Sequence, residues 1–293
     1  MVTSPENDPA PVPTADLPVI RGFLPSTLID WPGRIAAMVF LPLCNLRCGY
    51  CHAGDLLDPA SDEVLPWPQI REYLEGKRSW IDGVVICGGE PTLHATLANL
   101  CREIHSLGMA VKLDTNGTRP DVLGRLISER LIEAVSMDLK TSLDQRMAEF
   151  SGGAVDLAAL ESSVALLLAA SSGGGAAAGA SSAAADEPCS VIGDAEHCRK
   201  PSREDGARPQ IEVEFRTTCC PALVDAEAIE WIARRIGASP ERPEGSPYVL
   251  QRFNPEHAMS PAFREIAPYS AGQMEELLEV ARRWNPRTRL RTG

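Results

Sequence analysis

Cys44, Cys48 and Cys51 fall within eight residues of the stretch LPLCNLRCGYCHAG, at the spacing C-x3-C-x2-C. In a reducing compartment, thiols so closely spaced read as metal ligands before disulfides. Structural zinc takes four closed ligands, usually as two pairs. Only one C-x2-C pair is present here, although His52 offers a fourth donor. A cubane iron–sulfur cluster takes one cysteine per iron, so three cysteines leave one iron open to a substrate or cofactor. Three small buried hydrophobes would fit the residue type as well, but the intervening NLRCGY is polar.

A second element, CGGEPTLH from Cys87 to His94, follows an apolar run. Gly88 and Gly89 permit a tight turn that exposes backbone N–H and C=O groups to a ligand. Glu90 supplies a charge complementary to an ammonium, and Pro91 stiffens the turn. Gly-Gly after a strand is also an ordinary turn signal, so its weight comes from standing one unit after the cysteine loop.

The elements that must carry these residues are short apolar runs rich in β-branched side chains. They lie at 34–41, 83–87, 109–114, 132–139, 211–218 and 248–253, and they read as buried parallel strands. Helix-period segments lie between them, around 67–76, 95–107, 119–130, 155–170 and 225–236, with a last near 272–284. Strand–helix alternation implies βαβ units and a parallel sheet. Six units predict an α/β fold, an open and incomplete (βα)6 TIM-like barrel. Catalytic loops of such barrels gather at the C-terminal strand ends.

Read in order, five stretches resemble the radical S-adenosylmethionine (radical SAM) superfamily: STLIDWPGRIAAMVFLPLCNLRCGYCH (26–52), VVICGGEPTLH (84–94), VKLDTNG (111–117), SMDLKT (136–141) and EFRTT (214–218). Together they resemble the activating proteins of glycyl radical enzymes, and in particular those of anaerobic ribonucleoside-triphosphate reductase. The resemblance covers roughly residues 21–150 and 210–260 and is carried by the ordered set rather than by any one motif.

That resemblance implies a 4Fe-4S cluster on Cys44, Cys48 and Cys51, its fourth iron chelated by S-adenosylmethionine. It implies that Tyr50 and His52 border the adenine side, and that the turn of Gly88, Gly89 and Glu90 receives the methionyl ammonium. Asp114, Thr115 and Asn116 would line the same rim, with Asp138 and Lys140 near the methionyl carboxylate and ribose. Gln251 aligns only loosely with a position that approaches the cofactor. The implied reaction is reductive cleavage of S-adenosylmethionine to a 5′-deoxyadenosyl radical, which takes a hydrogen atom from a glycine of the reductase. A one-electron donor such as flavodoxin or ferredoxin would drive it. Plainer readings stand beside these: Asp138 and Lys140 as a surface ion pair, and DTNG as a turn around Gly117. Activation of another glycyl radical enzyme, small-molecule radical chemistry and a zinc-binding interaction module are the rival functions.

The net charge of −12 argues against a general nucleic-acid or anionic-membrane binder. The most apolar stretch, VALLLAA at 164–170, is too short to span a bilayer, and residues 1–18 lack an export signal. A cytoplasmic location is the expectation. Residues 1–18 read as a disordered Pro-rich tail. Residues 19–293 read as one barrel domain, interrupted at about 171–207 by a Gly/Ala/Ser-rich flexible insertion. Of the other cysteines, Cys87 and Cys101 read as packing residues, and adjacent Cys219 and Cys220 cannot easily bind one metal together. Cys189, His197 and Cys198, within the insertion, match no cluster spacing.

Overall fold

The computed structural model describes residues 16–57, 64–144, 146–147, 151, 155–171, 210–240 and 242–291. Residues 1–15 of the expected tail, and all of the expected insertion except Ser171, lie outside the described residues, as do Cys189, His197 and Cys198.

Eight strands form one sheet in chain order: β1 (Gly22–Thr27), β2 (Ala36–Leu41), β3 (Gly83–Gly88), β4 (Ala110–Thr115), β5 (Ala134–Asp138), β6 (Glu212–Cys219), β7 (Tyr248–Arg252) and β8 (Thr288–Arg291). β2 to β8 pair in parallel, and β1 runs antiparallel to β2. The six strands expected from the sequence are β2 to β7. The two edges are additions to that expectation. β1 contains Pro25, which withholds an amide donor and suits an edge, and its register with β2 shifts between Leu24 and Thr27. β8, TRLR, is only four residues long and carries two arginines. Among the described residues β8 and β1 do not pair, so the barrel is open between them.

The crossovers carry helices α1 (Trp67–Glu75), α2 (Leu97–Ser106), α3 (Pro120–Ser128), α4 (Leu157–Ser171), α5 (Ala226–Ile236), a single turn α6 (Pro261–Arg264) and α7 (Ala271–Arg282). Their apolar faces meet the outer face of the sheet. Ala37, Val39, Leu41, Val84, Ile86, Val111, Leu113, Val135, Met137 and Phe215 join that core. Among the described residues, no helix is long and apolar enough to cross a membrane.

Alternation along the strands sends the other residues inward. On β2 and β3 these are Ala36, Met38, Val85 and Cys87, which pack with Trp31 as a small inner core. Trp31, 1% exposed, reaches in from the β1–β2 connection, and its indole N–H donates to Glu212 Oε2 at 3.0 Å. On β4 to β6 the alternate positions are Lys112, Asp114, Ser136, Asp138, Glu214 and Arg216. One wall of the interior is therefore apolar and the other charged.

Candidate active site

The chain leaves β2 into the cysteine loop through Leu43, whose φ of 66° is unusual for a side chain of its size. That twist turns the Leu43 carbonyl to accept the Glu90 amide at 2.7 Å, while Gly89 N–H donates to Leu41 O at 2.8 Å. A Cβ on Gly89 would stand 1.8 Å from the Leu43 oxygen, so the two loops approach as closely as glycine alone allows. Within the cysteine loop, Cys51 N–H donates to Cys48 O at 3.0 Å. The amides of Leu46 and Ala53 point at the sulfurs of Cys44 and Cys51, each at 3.4 Å.

The loop lies against a cavity of about 320 Å³ at the C-terminal strand ends. All three cysteines line it, as do Tyr50, His52, Gly88, Gly89, Asp114, Thr115, Asn116, Asp138 and Lys140. Of the expected residues only Glu90 and Gln251 do not. Gln251 on β7 lines a neighbouring cavity that meets the first at His52 and Thr218.

Glu90 is fully buried and turned into protein. Its Oε1 accepts from Thr92 N at 3.1 Å, the Thr92 hydroxyl and the Thr115 hydroxyl at 2.8 Å, and Oε2 accepts from Asn116 N at 2.7 Å. Burial pushes its carboxyl up, against the pull of those donors. The side chain thus ties the GGEP turn to DTNG, and Gly88 and Gly89 are what that turn shows to the cavity. Asn116 extends the tie: its amide donates to Asn45 Oδ1 at 3.0 Å and approaches Cys44 Sγ at 3.8 Å.

The charged wall is a chain of alternating sign. Lys112 Nζ meets Asp114 Oδ1 at 2.7 Å, and Arg216 Nη1 meets Asp114 Oδ2 at 2.9 Å. Arg216 Nε meets Asp138 Oδ1 at 3.0 Å, and Lys140 Nζ meets Asp138 Oδ2 at 3.1 Å. Three cations against two carboxylates leave one positive charge over. Burial alone would raise the Asp138 carboxyl, but Lys140 and Arg216 outweigh it and hold it at about 2. Burial would lower the Lys140 ammonium, and Asp138 with the nearby Tyr50 and Cys48 reverses that, well above its ordinary value. Asp138 and Lys140 are therefore part of a partly buried network rather than an isolated surface pair. Arg216 belongs to the EFRTT motif, which by itself assigns it no role. Its one legible signal is a cation at an inward position of an otherwise apolar-alternating strand.

Burial pushes the Cys44 and Cys48 thiols up, so binding a metal there releases protons. Among the described residues no three His, Cys, Asp or Glu side chains close on a single metal ion, and His52 Nε2 is engaged with Asn254 O at 2.7 Å. A tetrahedral zinc site finds no support in that arrangement. A cubane, taking one thiolate per iron, does not need its ligands to converge on one point.

Residues 38–166 match the Radical SAM superfamily model. The chain is 26% identical to an inferred glycyl-radical enzyme activating enzyme of Methanocaldococcus jannaschii, over 94% of this chain and 96% of that one. It is 35% identical to the GTP 3′,8-cyclase of Synechococcus elongatus over 45% of this chain and 43% of that one. In fold it is similar to SuiB of Streptococcus suis bound to S-adenosylmethionine: TM-score 0.53, 14% identity, 87% of this chain and 51% of SuiB. The chain thus spans about half of SuiB. The superfamily's cofactors are a 4Fe-4S cluster and S-adenosylmethionine. The residues present fit both: three thiols at one cavity, amide donors aimed at two sulfurs, and a surplus positive charge for a carboxylate. Residues 38–166, which hold the three cysteines and most of the cavity wall, are thus the stretch of this chain that is similar to the Radical SAM superfamily.

Proposed function

We propose that this chain is a radical SAM activase that installs a glycyl radical on anaerobic ribonucleoside-triphosphate reductase. The observation that carries the radical SAM chemistry is one cavity shared by Cys44, Cys48, Cys51 and the Asp114–Arg216–Asp138–Lys140 wall. Bound there, the two cofactors would supply one-electron cleavage of the sulfonium C5′–S bond and hydrogen-atom abstraction from the partner's glycine Cα.

The chain's own residues bind and orient. The three cysteines hold the cluster, and Gly88 and Gly89 offer backbone to the methionyl ammonium. The surplus charge centred on Arg216 and Lys140 receives the carboxylate. Met38, Phe40 and Leu57 give the cavity an apolar side that keeps water from the reacting carbon. The unpaired edges β1 and β8 leave the barrel open laterally, which suits a substrate presented on a polypeptide loop.

For the target, the ordered motifs and the end-to-end similarity to an activating-enzyme relative support an activase over a cyclase, whose likeness stops near half of either chain. A small flavodoxin- or ferredoxin-like donor and a cytoplasmic setting complete the proposal. Anaerobic reconstitution with iron and sulfide should give about one cubane per chain. Dithionite and S-adenosylmethionine should then release 5′-deoxyadenosine, and adding the reductase should yield a glycyl radical by electron paramagnetic resonance. Cleavage without a glycyl radical would refute the target, and Cys48→Ala retaining cluster and cleavage would refute the site.

A further inference from the structure

The segment that follows β7 folds back onto the cysteine loop. Met259 N–H donates to Cys51 O and Ser260 N–H to Gly49 O, both at 2.9 Å. His52 Nε2 lies 2.7 Å from Asn254 O, a contact in which the ring N–H donates and the carbonyl accepts. The Phe263 ring covers Gly49 so closely that a Cβ there would stand 2.4 Å from its Cε2. The segment is itself fastened: Ala258 N–H donates to Pro255 O at 3.1 Å and Phe263 N–H to Ser260 O at 3.0 Å. Arg264 Nε donates to Ala258 O at 2.7 Å, and Ala258 is fully buried.

We propose that residues 254–264 are a brace that sets the Cys48–Cys51 turn before any cluster arrives, with Phe263 and His52 as positioning residues. The backbone of the turn is closed from within by the bond from Cys51 N to Cys48 O. A turn this short, without ties from outside, samples many arrangements of its side chains. The brace doubles up on it by taking the carbonyls of Gly49 and Cys51, on either side of Tyr50. It comes from about 200 residues later in the chain and lies outside the matched domain of 38–166. A ligand set pre-positioned this way holds its metal better than one left to loop motion. His52 serves here as a tie from the cysteine loop to Asn254, beyond the adenine-side position that the resemblance implied.

The brace rests on the reading that Cys48 and Cys51 hold the cluster, and the test separates the two. The full chain is prepared in apo and anaerobically reconstituted forms as Phe263→Ala, Phe263→Leu, Gly49→Ala and the Gly49→Ala/Phe263→Ala pair. In the apo form, hydrogen exchange of the Cys51, Met259 and Ser260 amides should speed by about tenfold in Phe263→Ala and in Gly49→Ala, and Phe263→Leu should restore most of it. The pair should cost less than the sum of its parts, because the new methyl occupies the vacated space. In the reconstituted form, the cluster absorbance should bleach several-fold faster in air in both single variants. Unchanged apo exchange, or strictly additive effects, would overturn the brace. Failure of the unaltered chain to take up a cluster would overturn the cysteine assignment, while the apo exchange would still decide the brace. Should Phe263→Ala not fold, Phe263→Leu and Gly49→Ala carry the same comparison.

Discussion

Arg216→Met removes the one guanidinium that joins two carboxylates, at 2.9 Å to Asp114 and 3.0 Å to Asp138, while keeping an unbranched chain of similar reach. The Arg216 side chain is only 9% exposed. Taking one partner from a buried ion pair costs about 3–5 kcal/mol. Each carboxylate keeps a lysine on its other oxygen, so the low end, about 3 kcal/mol, is expected.

Part of that loss depends on pH, and its sign follows from Asp138. Its carboxyl is held at about 2, below the ordinary 3.8, so it stabilises the fold above the ordinary value and loses that contribution as pH falls toward 2. A shift of that size converts to about 2 kcal/mol, discounted to about 1 because a third of the side chain meets solvent. Without Arg216 the carboxyl rises only part of the way toward 3.8, because Lys140, the larger of the two cationic causes, stays in place. The stability gap between the unaltered chain and the variant should therefore be widest near neutral pH and narrow toward pH 2, by less than about 1 kcal/mol. Urea unfolding of the apo chain across that range measures it. Arg216→Lys, which can reach only one carboxylate, should fall between the two. A variant within about 0.5 kcal/mol of the unaltered chain at neutral pH, or a gap that does not close in acid, would refute the network.

Three further perturbations test other parts of the framework. Glu90→Gln turns an amide donor against groups that already donate to it, and should cost the apo protein about 1–3 kcal/mol by thermal unfolding, whereas a carboxylate reserved for ligand would leave stability unchanged. Trp31→Ala empties the inner core between β2, β3 and β5 and should cost about 3–5 kcal/mol in urea. Gly89→Ala drives a methyl into the Leu43 carbonyl and should cost about 3 kcal/mol, with iron uptake in reconstitution falling alongside because the cysteine loop must move.

Much of the site was legible because its signals are local. Cys44, Cys48 and Cys51 share one loop, Gly88 and Gly89 one turn, and each apolar run is its own strand. The edges were not legible. β1 is interrupted by Pro25 and β8 has four residues, so neither repeats long enough to stand out. Glu90 showed its charge but not its partners, which come from Thr115 and Asn116 on another strand's loop.

The sequence by itself determined the strand positions, the spacing of the three cysteines and the tight turn, since each depends on residues a few places apart. Tertiary structure alone decided that Arg216 stands directly opposite Asp138 in the β5–β6 register, that Glu90 faces inward, and that residues 254–264 clasp the cysteine turn. Those pairings join residues tens to hundreds of positions apart. Strand register and pleat, not spacing along the chain, determine which of them meet.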